Sequence, residues 1–526
     1  MNFQTYCFRL NSNIATGIGH IMRCARVAKN LKKKGHKCIF YLDKKSSFNY
    51  LLVEFEVKYI YQKNTNFKNQ KDDAKFFLRK LDIDKKLKIV VDDYRLDCEW
   101  EKIVSNNNRF IIVFDDEEKN KHDCDIYINY KPDLIETENF NYNLIKNKDT
   151  KLLLGSKYCI LDTITKPKKK LKPKKYHNIC FYMGGSGDFK YFDKIIIKLI
   201  EKINVNNNSF FIYIIAGPGC KNIKPLIQLS KKFNFIKIIE GKKDLKKTIS
   251  IMDLIIGSAG NIVYEASFYN IPSLFFEISN NQNNKIYNME KIGHYFMLPI
   301  SELKKYSKLS LLIYLMLKNY KRIYKLNLEK KTKIDNKGVH RVVRKIISSN
   351  INNKDFTQQK KKQNMKKNFQ VKKINDDEVN KYFYSRNLLA NRKVSFVTKK
   401  INRLDHYNWW FKSKRESFAI SIKQKKIMYL YDETFRVDSK NYSLQGWFAT
   451  ENKFGIREVL LALNWHRKYI AKKENIDLSF GIIKKDNAIN FSKYLGWKLI
   501  NNNSKEFKVL KKINHINNNY NYYIRH

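Results

Sequence analysis

Residues 9–24 read RLNSNIATGIGHIMRC, and the parsing of this stretch decides the fold. Gly17 and Gly19 immediately precede His20. Behind the histidine, Ile21, Ala25, Ala28 and Leu31 recur at three- and four-residue steps, the spacing of one helix face. Ahead of it, Tyr6, Cys7, Phe8, Arg9 and Leu10 read as a strand. The order is therefore strand, glycine turn, histidine, helix. The glycines permit a tight turn and the close approach of a ligand. The helix N-terminus offers unpaired N–H groups to a phosphate or a developing oxyanion. His20 stands there with the one side chain that ordinarily titrates near neutral pH. Taken alone, G-x-G-H also describes a helix-capping loop with an incidental histidine.

The remaining sequence narrows the choice. A chain of 526 residues has room for two or three domains, and 43% hydrophobic with 14% aromatic content is globular in character. The formal charge of +54 raises the question of a polyanion partner. The lysines are dispersed over every segment, which describes solvated faces better than a nucleic-acid surface. The eight cysteines form no C-x-x-C pair, and most lie in apolar runs, so reduced thiols are expected with neither disulfides nor a metal site. No signal peptide or membrane-spanning run is legible, and a cytoplasmic protein without membrane insertion is expected.

Residues 1–162 alternate strands and helices. Strands are expected at 38–42, 88–91, 110–114 and 126–128, which predicts a parallel sheet covered on both faces. Ligands of such sheets bind at the carboxyl ends of the strands. Acidic groups stand there: Asp92, Asp93 and Tyr94 after one strand, Asp115 to Glu118 after another. Residues 163–175, rich in lysine and proline, read as a linker.

The alternation resumes in residues 176–349, with strands expected at 177–183, 210–216, 235–240 and 254–257. Gly184, Gly185 and Ser186 follow the first of these, where backbone N–H groups could cradle a diphosphate. Residues 257–272 read GSAGNIVYEASFYNIP: small residues open a helix, and Glu265 falls one turn in. Residues 300–349 are expected to be helical, closing this half and crossing back over the first. Residues 350–370 form a second, basic linker, and 511–526 a tail.

These stretches resemble a known family. Residues 9–23 are similar to the signature R-x-D-x-x-x-x-I-G-x-G-H-x-x-R of the UDP-sugar hydrolase of pseudaminic acid biosynthesis. Arg9, Gly17, Gly19, His20 and Arg23 match, while Asn11 and Thr16 replace Asp and Ile. The resemblance implies a GT-B-like pair of Rossmann-type α/β domains. It implies hydrolysis of UDP-2,4-diacetamido-2,4,6-trideoxy-β-L-altrose to UDP and free sugar, with His20 as the base and neither metal nor cofactor. Arg9, Gly17, Gly19, Tyr94, Gly184, Gly185, Ser186 and Ser258 would line the substrate site. Asn261 would join them, Glu265 would hold the ribose hydroxyls, and Asn281 and Gln282 would contact the sugar. Asp115 and Asp116 would shape a loop or orient His20. The family tends to carry an arginine where this chain has Asp162.

Residues 371–510 change pattern. Helices are expected at 376–389 and 403–413, strands at 417–423, 426–431 and 442–449, a helix at 455–472, a strand at 477–483, a helix at 486–495 and a final strand at 497–509. This order resembles the GNAT acetyltransferase fold. The matching residues are Arg386, Asn387, His406, Trp410, Phe411, and Gly446 to Phe448. The resemblance implies acetyl-CoA, bound through Gly455, Ile456, Arg457 and Asn487. The family's pyrophosphate loop keeps only its middle glycine here, and Ser492 stands where a tyrosine often protonates the departing thiolate. Acetylation of a 4-amino UDP-sugar would precede the hydrolytic step, so the two parts agree on one substrate series. A GT-B glycosyltransferase using the same UDP site is the alternative. A basic nucleic-acid-binding protein would need a focused cationic face that the sequence does not present.

Overall fold

The computed structural model describes residues 3–11, 19–46, 49–62, 65–81, 87–105, 109–132, 140–161, 177–185, 187–203, 210–217, 219–240, 245–277, 286–349, 369–473, 476–484, 495–513 and 520–525. The chain divides into two units, one of residues 1–310 and 320–358, the other of 311–319 and 359–526.

The first unit holds two parallel sheets. The first comprises β1 (Thr5–Leu10), β2 (Lys37–Leu42), β3 (Glu56–Tyr59), β4 (Leu87–Asp92), β5 (Phe110–Phe114), β6 (Ile126–Asn129) and β7 (Lys151–Leu154). Its order is β3-β2-β1-β4-β5-β6-β7. The second comprises β8 (His177–Tyr182), β9 (Phe210–Ala216), β10 (Ile236–Glu240), β11 (Leu254–Ser258), β12 (Ser273–Glu277) and β13 (Phe296–Pro299), ordered β10-β9-β8-β11-β12-β13. Both are Rossmann-type and together they form a GT-B-like pair. In each, the order reverses beside the first strand, between β1 and β4 and between β8 and β11, which places the crevice for a ligand there. The central strands are buried along their length and mostly apolar, as sheets covered on both faces require. Sequence reading omits β3, β7, β12 and β13; the first is a half-exposed strand with charged residues, which carries no apolar signature.

The helix Gly338–Ser348 returns to the first sheet as expected. Lys88 Nζ, from β4, donates to the carbonyls of Ile346 (2.7 Å) and Ser349 (3.0 Å). Arg341 donates to the carbonyl of Lys157 at 2.8 Å.

The second unit is built on a seven-stranded mixed sheet: β14 (Phe369–Lys373), β15 (Glu416–Ile422), β16 (Lys425–Val437), β17 (Lys440–Ala449), β18 (Leu478–Lys484), β19 (Lys498–Leu499) and β20 (Tyr520–Arg525). Its order is β14-β15-β16-β17-β18-β20-β19. The pairings are antiparallel except between β17 and β18, which run parallel from Tyr442–Leu478 to Gln445–Gly481. β17 then runs on to Ala449, whose backbone exchanges two hydrogen bonds with the Asn391 amide, at 2.8 and 3.1 Å.

Four expectations are corrected here. The strand at 497–509 is only Lys498–Leu499, followed by the helix Lys505–Lys512. Ser504 caps that helix by accepting the Phe507 N–H, and Phe507 and Leu510 bury one face. The tail at 511–526 instead supplies β20, because alternating aromatics between Tyr520 and Ile524 fill the space beside β18. The linker ends before Phe369, which opens β14. The helix expected at 376–389 is interrupted at Leu388, whose backbone is extended, separating Val379–Asn387 from Leu389–Val394.

Candidate functional site

His20 is the second residue of the helix Gly19–Lys32, which starts at the carboxyl end of β1. Its Nδ1 lies 2.6 Å from Asp92 Oδ1, at the end of the adjacent strand β4. A carboxylate can only accept, so Nδ1 carries the hydrogen and Nε2 is the acceptor of the ring. Arg23, one turn along, donates to the same carboxylate at 2.5 Å and 2.8 Å and to the Tyr130 hydroxyl at 3.0 Å. Asp92 is completely buried. Burial opposes its charge, but Arg23 and His20 prevail and hold it below the usual carboxylate range. His20 is pushed the other way: burial lowers it, and Asp92 more than offsets this, leaving the imidazole above its ordinary value.

The Tyr94 ring stands edge-on to His20, with centroids 4.8 Å apart. Its hydroxyl donates to Asp116, which also meets Arg23 at 3.4 Å. Asp115 shapes the loop, accepting the N–H groups of Glu117 (2.8 Å) and Glu118 (3.1 Å) and the Tyr127 hydroxyl (2.9 Å). Behind it, His122 lies between Asp115 (3.4 Å) and Glu101 (2.6 Å). Burial lowers His122, and these two carboxylates together raise it to about 9.

The second sheet brings its own residues to the same place. A side chain at Gly19 would come 3.5 Å from the Asn261 amide, at the start of the helix Ile262–Tyr269. Arg26 of the histidine helix reaches Glu265 at 3.4 Å, and the Tyr264 hydroxyl meets the Tyr130 carbonyl at 3.5 Å. Gly184, with φ of +83°, lies against Ser258, which is buried at the end of β11. The structure thus sets His20 beside Tyr94, places the helix that carries Gly19 and His20 against Asn261 and, through Arg26, Glu265, and sets Gly184 beside Ser258 in the second sheet.

Other expected residues fall differently. Arg9 is fully buried and donates to Asp73 (2.6 and 3.1 Å), Asp43 (2.7 Å) and the Leu10 carbonyl (3.0 Å). It has no surface to offer a substrate, so its binding role is withdrawn. Gly257, at the start of the small-residue stretch, is required by the sheet: a Cβ there would sit 1.7 Å from the Tyr182 carbonyl oxygen. Gly17, Ser186, Asn281, Gln282, Asp162, Asn487 and Ser492 lie outside the described residues. In the second unit, Gly455 precedes the helix Ile456–Ala471, and its N–H is taken by Glu458 Oε2 at 3.0 Å. Ile456 is 66% exposed, and Arg457 is exposed beside it.

Sequence reasoning missed Asp92, the group that orients His20; it had assigned that task to Asp115 or Asp116. The signal lay in the strand order, since β1 and β4 are neighbours in a Rossmann sheet. Among the described residues, no helix is long and apolar enough to cross a membrane.

No family model matches the chain. An uncharacterized protein of Methanocaldococcus jannaschii is 26% identical over 310 residues, 56% of this chain and 60% of that protein's length. Among solved structures, MurG of Acinetobacter baumannii is 13% identical with a TM-score of 0.45, covering 66% of this chain and 100% of that one. The UDP-GlcNAc 2-epimerase of Neisseria meningitidis, bound to UDP-GlcNAc, is 12% identical with a TM-score of 0.43, covering 66% of this chain and 100% of its own.

Proposed function

We propose that the first unit is a UDP-sugar enzyme that moves the sugar from UDP to a hydroxyl. His20 Nε2 takes the proton of that hydroxyl as its oxygen attacks the anomeric carbon, and UDP departs with the electrons of the broken bond. The observation that carries the reading is the buried Asp92–His20 pair at a helix N-terminus, on the helix whose Gly19 and Arg26 lie against Asn261 and Glu265. Glu265 accepts from the ribose diol, and helix N-termini stabilise the departing diphosphate.

Two acceptors fit this chemistry. A sugar hydroxyl makes the unit a GT-B glycosyltransferase, the activity that the architecture hosts most directly. Water makes it a hydrolase, supported by the similarity of residues 9–23 to the pseudaminic acid enzyme. The test follows UDP release from UDP-2,4-diacetamido-2,4,6-trideoxy-β-L-altrose in heavy-oxygen water. Release without added acceptor, with the heavy oxygen in the sugar, supports hydrolysis. Release only when an acceptor sugar is present supports transfer. Heavy oxygen in UDP rules out attack at the anomeric carbon.

For the second unit, we infer acetyl transfer from acetyl-CoA to an amino group. The sheet order with its single parallel pair and the residues similar to GNAT enzymes support it. Glu458 at the start of the helix Ile456–Ala471 places a carboxylate where that family binds pyrophosphate, so the CoA would have to displace its contact with Gly455. Acetyl-CoA consumption with a 4-amino UDP-sugar tests this activity.

A further inference from the structure

Three arginines of the first unit grip a carboxylate in the same way. Arg9, Arg23 and Arg95 each place Nε and Nη2 on the two oxygens of one aspartate: Asp73 at 3.1 and 2.6 Å, Asp92 at 2.8 and 2.5 Å, Asp93 at 2.9 and 2.6 Å. Two parallel N–H bonds to one carboxylate fix its orientation as well as its charge. Arg26 makes only half of such a grip on Glu265. Its Nη2 lies 3.4 Å from Glu265 Oε1. Its Nε is buried and has no hydrogen-bond partner among the described residues. Nη1 donates to the Ile160 carbonyl at 3.1 Å, which anchors the guanidinium to the segment after β7.

The pair joins the helix Gly19–Lys32, which carries His20, to the helix Ile262–Tyr269, which carries Glu265. The neighbouring residues join the same two helices. Arg23 donates to the Tyr130 hydroxyl at 3.0 Å, and the Tyr130 ring meets the Tyr264 ring edge-on at 5.4 Å. A desolvated N–H without an acceptor costs free energy, and a carboxylate oxygen is the strongest acceptor within reach. The missing Nε bond therefore favours any rearrangement that brings the Glu265 carboxylate onto Arg26. A carboxylate offers about four lone-pair positions, so it can accept two hydroxyls of a diol and two N–H groups of an arginine together.

We propose that Arg26 is a positioning residue that makes Glu265 selective for ribose: a diol on the carboxylate holds it where Arg26 completes its grip through Nε, and this registers the nucleotide against the helix that carries His20. A deoxyribose supplies one hydroxyl and leaves the grip half made. This rests on the assignment of Glu265 to the ribose, yet it fails separately from it.

The experiment is calorimetric titration of the full-length protein with UDP and with 2′-deoxy-UDP. The native chain should bind UDP at least about tenfold more tightly, the effect of one hydroxyl on a charged acceptor. Glu265→Ala should remove that preference. Arg26→Met should reduce it to about twofold while leaving 2′-deoxy-UDP affinity nearly unchanged, and should have no further effect on the preference in the Glu265→Ala background. A merely structural arginine would weaken both ligands alike and keep their ratio, which overturns the proposal. Arg26→Lys keeps the charge without the fork and carries the test if Arg26→Met does not fold. Its preference should lie closer to that of Arg26→Met than to the native one, and a fully native preference overturns the role of the fork. A preference lost in Glu265→Ala but intact in both Arg26 variants overturns the proposal alone. A native chain that binds the two nucleotides equally, or a preference that survives Glu265→Ala, overturns the assignment of Glu265 to the ribose, and the role of Arg26 falls with it.

Discussion

Asp92 has a single carboxylate and three claims on it, from His20, Arg23 and the Cys24 thiol at 3.4 Å. The first fixes the tautomer of the base and the second keeps the carboxylate ionised. Asp92→Asn should therefore lower kcat by about 10²–10⁴-fold with little change in fold, as expected for a base held in the wrong tautomer. The pH profile gives a second readout. His20 is raised above its ordinary value, and a base works only unprotonated, so the rate should climb with pH past an inflection above 6.5. Without the Asp92 charge that inflection should move to lower pH. Arg9 illustrates the opposite role. Asp73 collects donors from Arg9, Tyr61 (2.5 Å) and Trp100 (2.8 Å) in a fully buried position. Asp73→Ala would take two hydrogen bonds from a buried guanidinium and leave Tyr61 and Trp100 without their acceptor, and should cost about 3–5 kcal/mol in urea unfolding. The sequence displayed both residues without separating their tasks. A motif states which residues are present; only strand order states which of them face a cleft.

At the scale of elements, two positions make the packing testable. Gly257 sits in β11 against β8, and the clash described above leaves no room for a methyl group. Gly257→Ala should destabilise the first unit by about 2 kcal/mol or more in the same assay. The loop after β5 depends on His122. A histidine raised on folding contributes stability that is whole below its unfolded value near 6.5 and is lost as pH rises through about 9. Melting temperature should therefore fall between pH 7 and 9.5, and His122→Gln should flatten that decline. The central strands were legible because apolar runs of β-branched residues have few alternatives. β3 was not, because a peripheral strand needs no apolar run. The helix Lys505–Lys512 was read as strand because its short apolar set, Phe507, Val509 and Leu510, fits either period.

Across the whole molecule, the alternation of strand and helix announced two Rossmann-type halves and a third, different domain, and the sheets have that form. What composition obscured was the last strand. Residues 514–519, NHINNN, suggested the end of ordered structure, yet β20 lies between β18 and β19. Deleting residues 520–526 should abolish the thermal transition of the second unit while leaving that of the first, as read by calorimetry.

The position of β20 also sets a timetable for synthesis. The first unit has all its strands once β13 has left the ribosome, and can begin closing while the rest is translated. The sheet of the second unit cannot be completed until residue 525 emerges, because its penultimate place is filled by its last-made strand. Until then β18 presents an open backbone edge, a template for pairing with another nascent chain. Yield of intact protein should accordingly depend on chaperone supply between the synthesis of β18 and that of β20 more than on the pace of the first three hundred residues.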